Sequence, residues 1–143
     1  MKTILIVDNH ADIRLLLKVA LGNEFSVIEA DGGTAALKAI QKHRPNLVLL
    51  DVMMPGELDG IQVLEQIKIN QRTQDTFVAV ISARGQTVDQ EIAVQKGADA
   101  YFIKPFSPLQ VVGWVRNKLT KTHAIVGNLN QSSSNSLLLH ENI

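Results

Sequence analysis

The chain has 143 residues, long enough for one domain with a full core and short for two. Fourteen Lys and Arg balance fourteen Asp and Glu, so a formal net charge of zero gives no electrostatic case for binding nucleic acid or an anionic membrane. Cysteine is absent, which excludes disulfides, zinc–thiolate centres and thiol catalysis.

Thr3–Val7 is a short apolar run that ends on Asp8-Asn9. It is too short for the apolar core of a secretion signal, and no segment approaches the roughly 18 apolar residues of a membrane span, so a cytoplasmic location is expected. A helical pattern follows over 11–22, with Ile13, Leu16, Leu17, Ala20 and Leu21 on one face. Phe25–Glu29 alternates partly, as an edge strand does. Residues 33–43 return to a helical period through Ala36, Leu37 and Ile40. Leu47–Leu50 is apolar on both faces and runs straight into Asp51. Asp59 is a candidate cap for a helix over 60–70 that carries Ile61, Leu64 and Ile67. Phe77–Ile81 is the fourth strand. Thr87 is a candidate cap for a helix carrying Val88, Ile92 and Ala93, with Gly97 to close it. Ala100–Ile103 is the fifth strand, followed by Lys104-Pro105. The last helix opens with Ser107 as cap and Pro108 in its first turn, and its pattern predicts burial of Leu109, Val112, Val115 and Leu119. Beyond Thr120 the composition turns polar and of low complexity, so 1–120 is expected to form the domain and 121–143 a flexible polar tail.

Five strands alternating with five helices predict right-handed crossovers and an α/β fold: a doubly wound, five-stranded parallel sheet with helices on both faces. The flavodoxin-like order 2-1-3-4-5 suits this size. Such sheets bind ligands beyond the carboxyl ends of their strands, where the order reverses between the first and third. Asp8 and Asp51 should therefore face each other across that crevice. Ser82 ends the fourth strand and Lys104 the fifth, so two acids, an amide, a hydroxyl and an ammonium converge there.

Clustered carboxylates repel unless a cation neutralises them, and hard oxygen donors favour Mg²⁺. A carboxylate such as Asp51 in that setting can act as a nucleophile toward phosphorus. Phosphoryl transfer requires mainly alignment and charge stabilisation. Mg²⁺, Lys104 and the Ser82 hydroxyl with nearby backbone N–H groups are the expected stabilisers, and an aspartyl phosphate the product.

With ILIVDNHADIR at the start, LVLLDVMMPGELDG in the middle, AVISARG after the fourth strand and GADAYFIKPF around the fifth, the chain resembles a response-regulator receiver domain of two-component signalling over residues 2–120. The resemblance implies Asp51 as phosphoacceptor, with Asp8, Asn9 and the Met53 carbonyl completing the Mg²⁺ ligands. It places Ser82 at the switch hydroxyl, Tyr101 at the switch aromatic and Lys104 at the phosphate-binding lysine. It also implies a cis Lys104–Pro105 bond that aims the lysine inward. A sensor histidine kinase or phosphotransfer protein would be the donor. On phosphorylation Ser82 would be drawn inward and Tyr101 would rotate in behind it. A downstream protein would then read the face made by the fourth helix, fifth strand and fifth helix, with no direct role for nucleic acid. Two features depart from the family pattern. Asn9 stands where an acid is usual, which predicts weaker Mg²⁺ binding, and PGELDG carries one extra residue, which should lengthen the loop after Met54 without moving Asp51.

Blander readings stand beside these. Asp51 is otherwise a loop cap, and Tyr101 would otherwise cover an edge strand with its hydroxyl in water. His10 invites reading as a base or ligand but is expected to be a solvated helix-start residue. Trp114 flanks the core stripe of the last helix, for packing or for a partner. A receiver-like module that binds without phosphorylation is one alternative function. An aspartate-nucleophile phosphatase is another, but it wants a second acid two residues after the nucleophile, where this chain has Met53. A flavin carrier would need a hydroxyl- and glycine-rich loop where DNHAD stands.

Overall fold

The five apolar runs pair as one sheet of β1 (Thr3–Val7), β2 (Ser26–Ala30), β3 (Leu47–Asp51), β4 (Phe77–Ser82) and β5 (Ala100–Ile103). This computed structural model describes residues 1–120, and the expected tail over 121–143 lies outside them. The strand order is β2-β1-β3-β4-β5 with every pairing parallel, as the sequence predicts. Between and after the strands lie α1 (Ala11–Leu21), α2 (Gly33–His43), α3 (Gly60–Ile69), α4 (Thr87–Gln95) and α5 (Pro108–Leu119).

Side-chain alternation along the strands divides the core into two layers. Ile4, Ile6, Leu47, Leu49, Ala79 and Ile81 pack against Leu17 and Leu21 of α1 and Val111, Val112 and Val115 of α5. Leu5, Val7, Val48, Leu50, Val78 and Val80 pack against α2, α3 and Ala93 of α4. Both faces being covered, the inner strands are apolar throughout except for Thr3, Asp51 and Ser82 at their ends, which is why they read as unbroken runs.

The caps follow the sequence closely. Asp59 accepts the Gln62 N–H while the Gln62 side chain accepts the Asp59 N–H, a reciprocal capping box at the start of α3. Ser107 caps α5 with Pro108 in its first turn. At α4 the cap is Gln86, and Thr87 is already helical. Gly97 follows that helix at φ +104°, a conformation that favours glycine.

Three expectations about burial fail. Leu16 is exposed, because at about 100° per residue it lies about 120° from the midline between Leu17 and Leu21. Leu109 is 85% exposed, and Val111 takes its place in the core, so the buried stripe of α5 is rotated away from Leu109. On α4 only Ala93 is buried, while Val88 and Ile92 face outward. That helix lies over the β5 edge, where the sheet offers only a narrow surface to cover. The second strand also runs one residue later than expected, from Ser26 to Ala30. Among the described residues no helix is long and apolar enough to cross a membrane.

Candidate functional site

Parallel register assembles the site. Val7 pairs with Leu50, Leu50 with Val80, and Val80 with Tyr101, so the carboxyl ends of four strands advance together. One step on, β1 gives way to Asp8 while β3 ends at Asp51. Ser82 ends β4 opposite Ile103, and Lys104 follows directly. Residues remote in sequence thus reach one crevice.

Asp8 and Asp51 are both buried, at 3% and 2% exposure. The Lys104 ammonium donates to Asp8 Oδ2 at 2.9 Å and stands 3.5 Å from Asp51 Oδ2, so it bridges the acids. Lys104–Pro105 is a cis peptide bond. Asp51 Oδ1 accepts the Met53 N–H at 3.0 Å. Burial raises the Asp51 carboxyl above its ordinary range; the Met53 N–H and the Lys104 charge pull it down, and the Asp8 charge pushes it up. Asp51 Oδ2 has no hydrogen-bond partner, nor has the buried amide oxygen of Asn9. Such orphaned oxygens are what a cation would satisfy, so the donor set fits a hard divalent ion.

Glycine makes the β3 end possible. A Cβ on Gly60 would stand 2.3 Å from Val52 Cα and 2.4 Å from the Asp51 carbonyl oxygen, closer than atoms can approach. Only glycine lets α3 begin against the turn that holds Asp51. The longer PGELDG loop passes over Gly33 at the start of α2, where Leu58 sits, and Asp51 remains in the strand.

On the other side of the crevice, Ser82 is fully buried and its Oγ accepts the Arg84 N–H at 3.0 Å. Tyr101 is 2% exposed and its hydroxyl donates to the Arg84 carbonyl at 2.6 Å. Burial raises the phenol above its ordinary range. The ring therefore already points inward, and the reading that put its hydroxyl in water is wrong. An edge strand capped by α4 provides an enclosed slot, and the Arg84 carbonyl supplies the acceptor a buried phenol needs. The backbone of Arg84 thus joins Ser82 to Tyr101.

Sequence reading missed one participant, Arg14, and set aside the contact that His10 makes. Arg14 donates to the Asp8 carbonyl at 2.7 Å and pairs with Glu29, clamping the end of β1. His10 is exposed as expected at the start of α1, yet its Nδ1 lies 3.0 Å from Asp8 Oδ1. Helical spacing from Ala11 would have put Arg14 one turn on from His10, but its target is a backbone group that no sequence pattern marks. Trp114 packs edge-on to Phe102 with centroids 6.2 Å apart, which resolves its role as core-flanking.

Fold and pocket together define a doubly wound α/β domain with a lysine-bridged pair of acids at its switch point. The pattern of the response regulator receiver domain matches residues 4–116, and the chain belongs to that family. It is 36% identical over 132 residues to the probable transcriptional regulator ycf27 of Porphyra purpurea, which covers 92% of this chain and 53% of that protein. It is 36% identical over 119 residues to the DNA-binding response regulator MtrA of Mycobacterium tuberculosis, covering 82% and 50% respectively. The chain spans about half the length of these curated relatives. A putative response regulator from Chloroflexus aurantiacus superposes with a TM-score of 0.77 at 30% identity, over 83% of this chain and 98% of that one.

Proposed function

We propose that this receiver domain accepts a phosphoryl group on Asp51 from a phosphohistidine of a sensor kinase or phosphotransfer protein. The carrying observation is a buried aspartate with one oxygen lacking a hydrogen-bond partner, set beside Lys104 and Asp8. An Asp51 oxygen forms the new P–O bond as the donor's P–N bond breaks, and the donor imidazole leaves with the bonding pair and takes a proton from solvent. Asp51 must be ionised to attack, and Lys104 and the Met53 N–H favour that state. The Met53 N–H holds Oδ1 and so fixes the orientation of the carboxylate in the crevice. Lys104 then faces the developing charge on an equatorial phosphoryl oxygen.

Asp8, the Asn9 amide oxygen, Asp51 and the Met53 carbonyl are the groups that would hold Mg²⁺. When bound, the ion supplies neutralisation of the acids and of the phosphoryl charge. Asn9 makes that set one charge poorer than an acid there would, so weaker Mg²⁺ binding is expected.

Signalling would run through Arg84. A phosphoryl group adds about −1.5 to −2 charges, and drawing the Ser82 hydroxyl toward it removes the acceptor of the Arg84 N–H. The same backbone segment receives the Tyr101 hydroxyl, so the loop before α4 and the Tyr101 slot change together as a population shift. Val88, Ile92, Val94, Ile103 and Leu109 expose apolar surface on α4, β5 and α5, which suits a protein partner on that face.

Incubation with Mg²⁺ and an acyl phosphate should add the mass of one phosphoryl group, and Asp51→Asn should abolish the gain. An unmodified parent would leave a binding module without phosphorylation, the alternative that Asn9 raises.

A further inference from the structure

The phosphoacceptor reading does not use His10, yet among the described residues its imidazole is the metal-ligating nitrogen grouped with both buried acids. Its Nδ1 stands 3.0 Å from Asp8 Oδ1, and the donor atoms of Asp8, His10 and Asp51 lie within 4.8 Å of one another. Neighbouring donors on an octahedral ion, each at about 2.1 Å, are about 3.0 Å apart, which is the Asp8–His10 spacing already present. Opposite donors on such an ion are about 4.2 Å apart, so the 4.8 Å limit on the three donor atoms is close to the span of one ion's ligands. The orphaned oxygens of Asp51 and Asn9 are an independent sign that a ligand belongs in the pocket, Asp51 being 2% exposed.

Charge and donor type then decide which ion. The pocket offers two carboxylates and an amide, and Lys104 at 2.9 Å from Asp8 offsets part of their charge. A hard ion such as Mg²⁺ relies on charged oxygen donors and gains little from a nitrogen. Imidazole suits borderline ions such as Co²⁺, Ni²⁺ and Zn²⁺, whereas Mn²⁺ behaves more like Mg²⁺. We infer that His10 Nδ1 is a further metal ligand that shifts the selectivity of this site from Mg²⁺ toward divalent transition ions. The inference rests on the metal site assigned above. The 3.0 Å contact with Asp8 requires a proton on Nδ1, since a carboxylate only accepts, and an ion bound there would displace it.

The test is calorimetric titration of the full chain, stripped with chelator, using Mg²⁺, Mn²⁺ and Co²⁺, in the parent and in His10→Ala. Co²⁺ should bind the parent at least about tenfold more tightly than Mg²⁺; His10→Ala should lower Co²⁺ affinity about tenfold and Mg²⁺ affinity no more than about threefold. Imidazole nitrogen NMR with Zn²⁺ supplies a second readout, in which the His10 Nδ1 resonance should move on loading. Equal losses for Co²⁺ and Mg²⁺, no loss for Co²⁺, or an unmoved Nδ1 resonance would overturn the assignment. Intact mass after acyl phosphate treatment in Mg²⁺ separates the two readings. Normal phosphorylation with His10 uninvolved sinks only the ligand, whereas absent phosphorylation with His10-dependent selectivity sinks only the phosphoacceptor.

Discussion

The two sides of the crevice are built differently. On the β1–β3 side, Asp8 and Asp51 stand at the ends of strands buried on both faces, and α3 is locked against the β3 end through Gly60 and a reciprocal cap. On the β4–β5 side, α4 buries only Ala93, and the loop before it is tied to the body through Ser82 and Tyr101 at Arg84. Phosphoryl transfer would need fixed geometry around the acceptor, and switching an element held by few contacts; on the proposed function the β1–β3 side suits the first and the loop before α4 the second.

Gly60→Ala tests the rigid side most severely. Its Cβ meets backbone atoms that cannot yield cheaply, so a loss of about 2–3 kcal/mol is expected in urea unfolding. A loss under about 0.5 kcal/mol would show that the β3–α3 junction gives way easily and would blur the contrast.

Asp51→Asn should have the opposite sign. The folded-state carboxyl is raised above its unfolded value, so its ionisation costs stability; that cost is full above the folded pKa and vanishes below the unfolded value of 3.8. The amide escapes the cost. In chelator at pH 7 the variant should melt higher than the parent, and the gap should close as the pH falls toward the ordinary carboxylate range. An equal or lower Tm at neutral pH would contradict the burial argument.

Tyr101→Phe should cost about 1 kcal/mol, by leaving the Arg84 carbonyl without its donor. Hydrogen exchange should quicken in the loop over 83–86 while α3 stays protected. Uniform quickening across both would mean that the two sides are not separable.

Ile92→Ser should change stability by no more than about 0.5 kcal/mol, because the side chain is 41% exposed on α4. A larger loss would place that residue in the core after all.

Strand identity, strand order and the four corners of the site were legible in the chain because strands buried on both faces are unmistakably apolar. The polar residue that ends each one stands out. Asp8, Asp51, Ser82 and Lys104 are such residues, and the parallel order places them together. Val88 and Ile92 misled because period alone does not say how much of a helix the sheet can cover, and Leu16 and Leu109 because only the packing fixes where the centre of a buried stripe lies. The inward ring of Tyr101 was hidden for another reason. An aromatic with a polar tip fits either side of an edge strand, and only the Arg84 carbonyl settles which.

By itself the amino-acid order determined the alternating elements, their sequence in the sheet and the acids at its switch point, since these follow from local periodicity and from the handedness of crossovers. The tertiary structure alone decided which oxygens remain without partners, where the His10 ring meets Asp8 and how Arg84 couples Ser82 to Tyr101. Those are distances between groups from separate elements or turns, set by how helices seat on a twisted sheet, and no pattern along the chain encodes them.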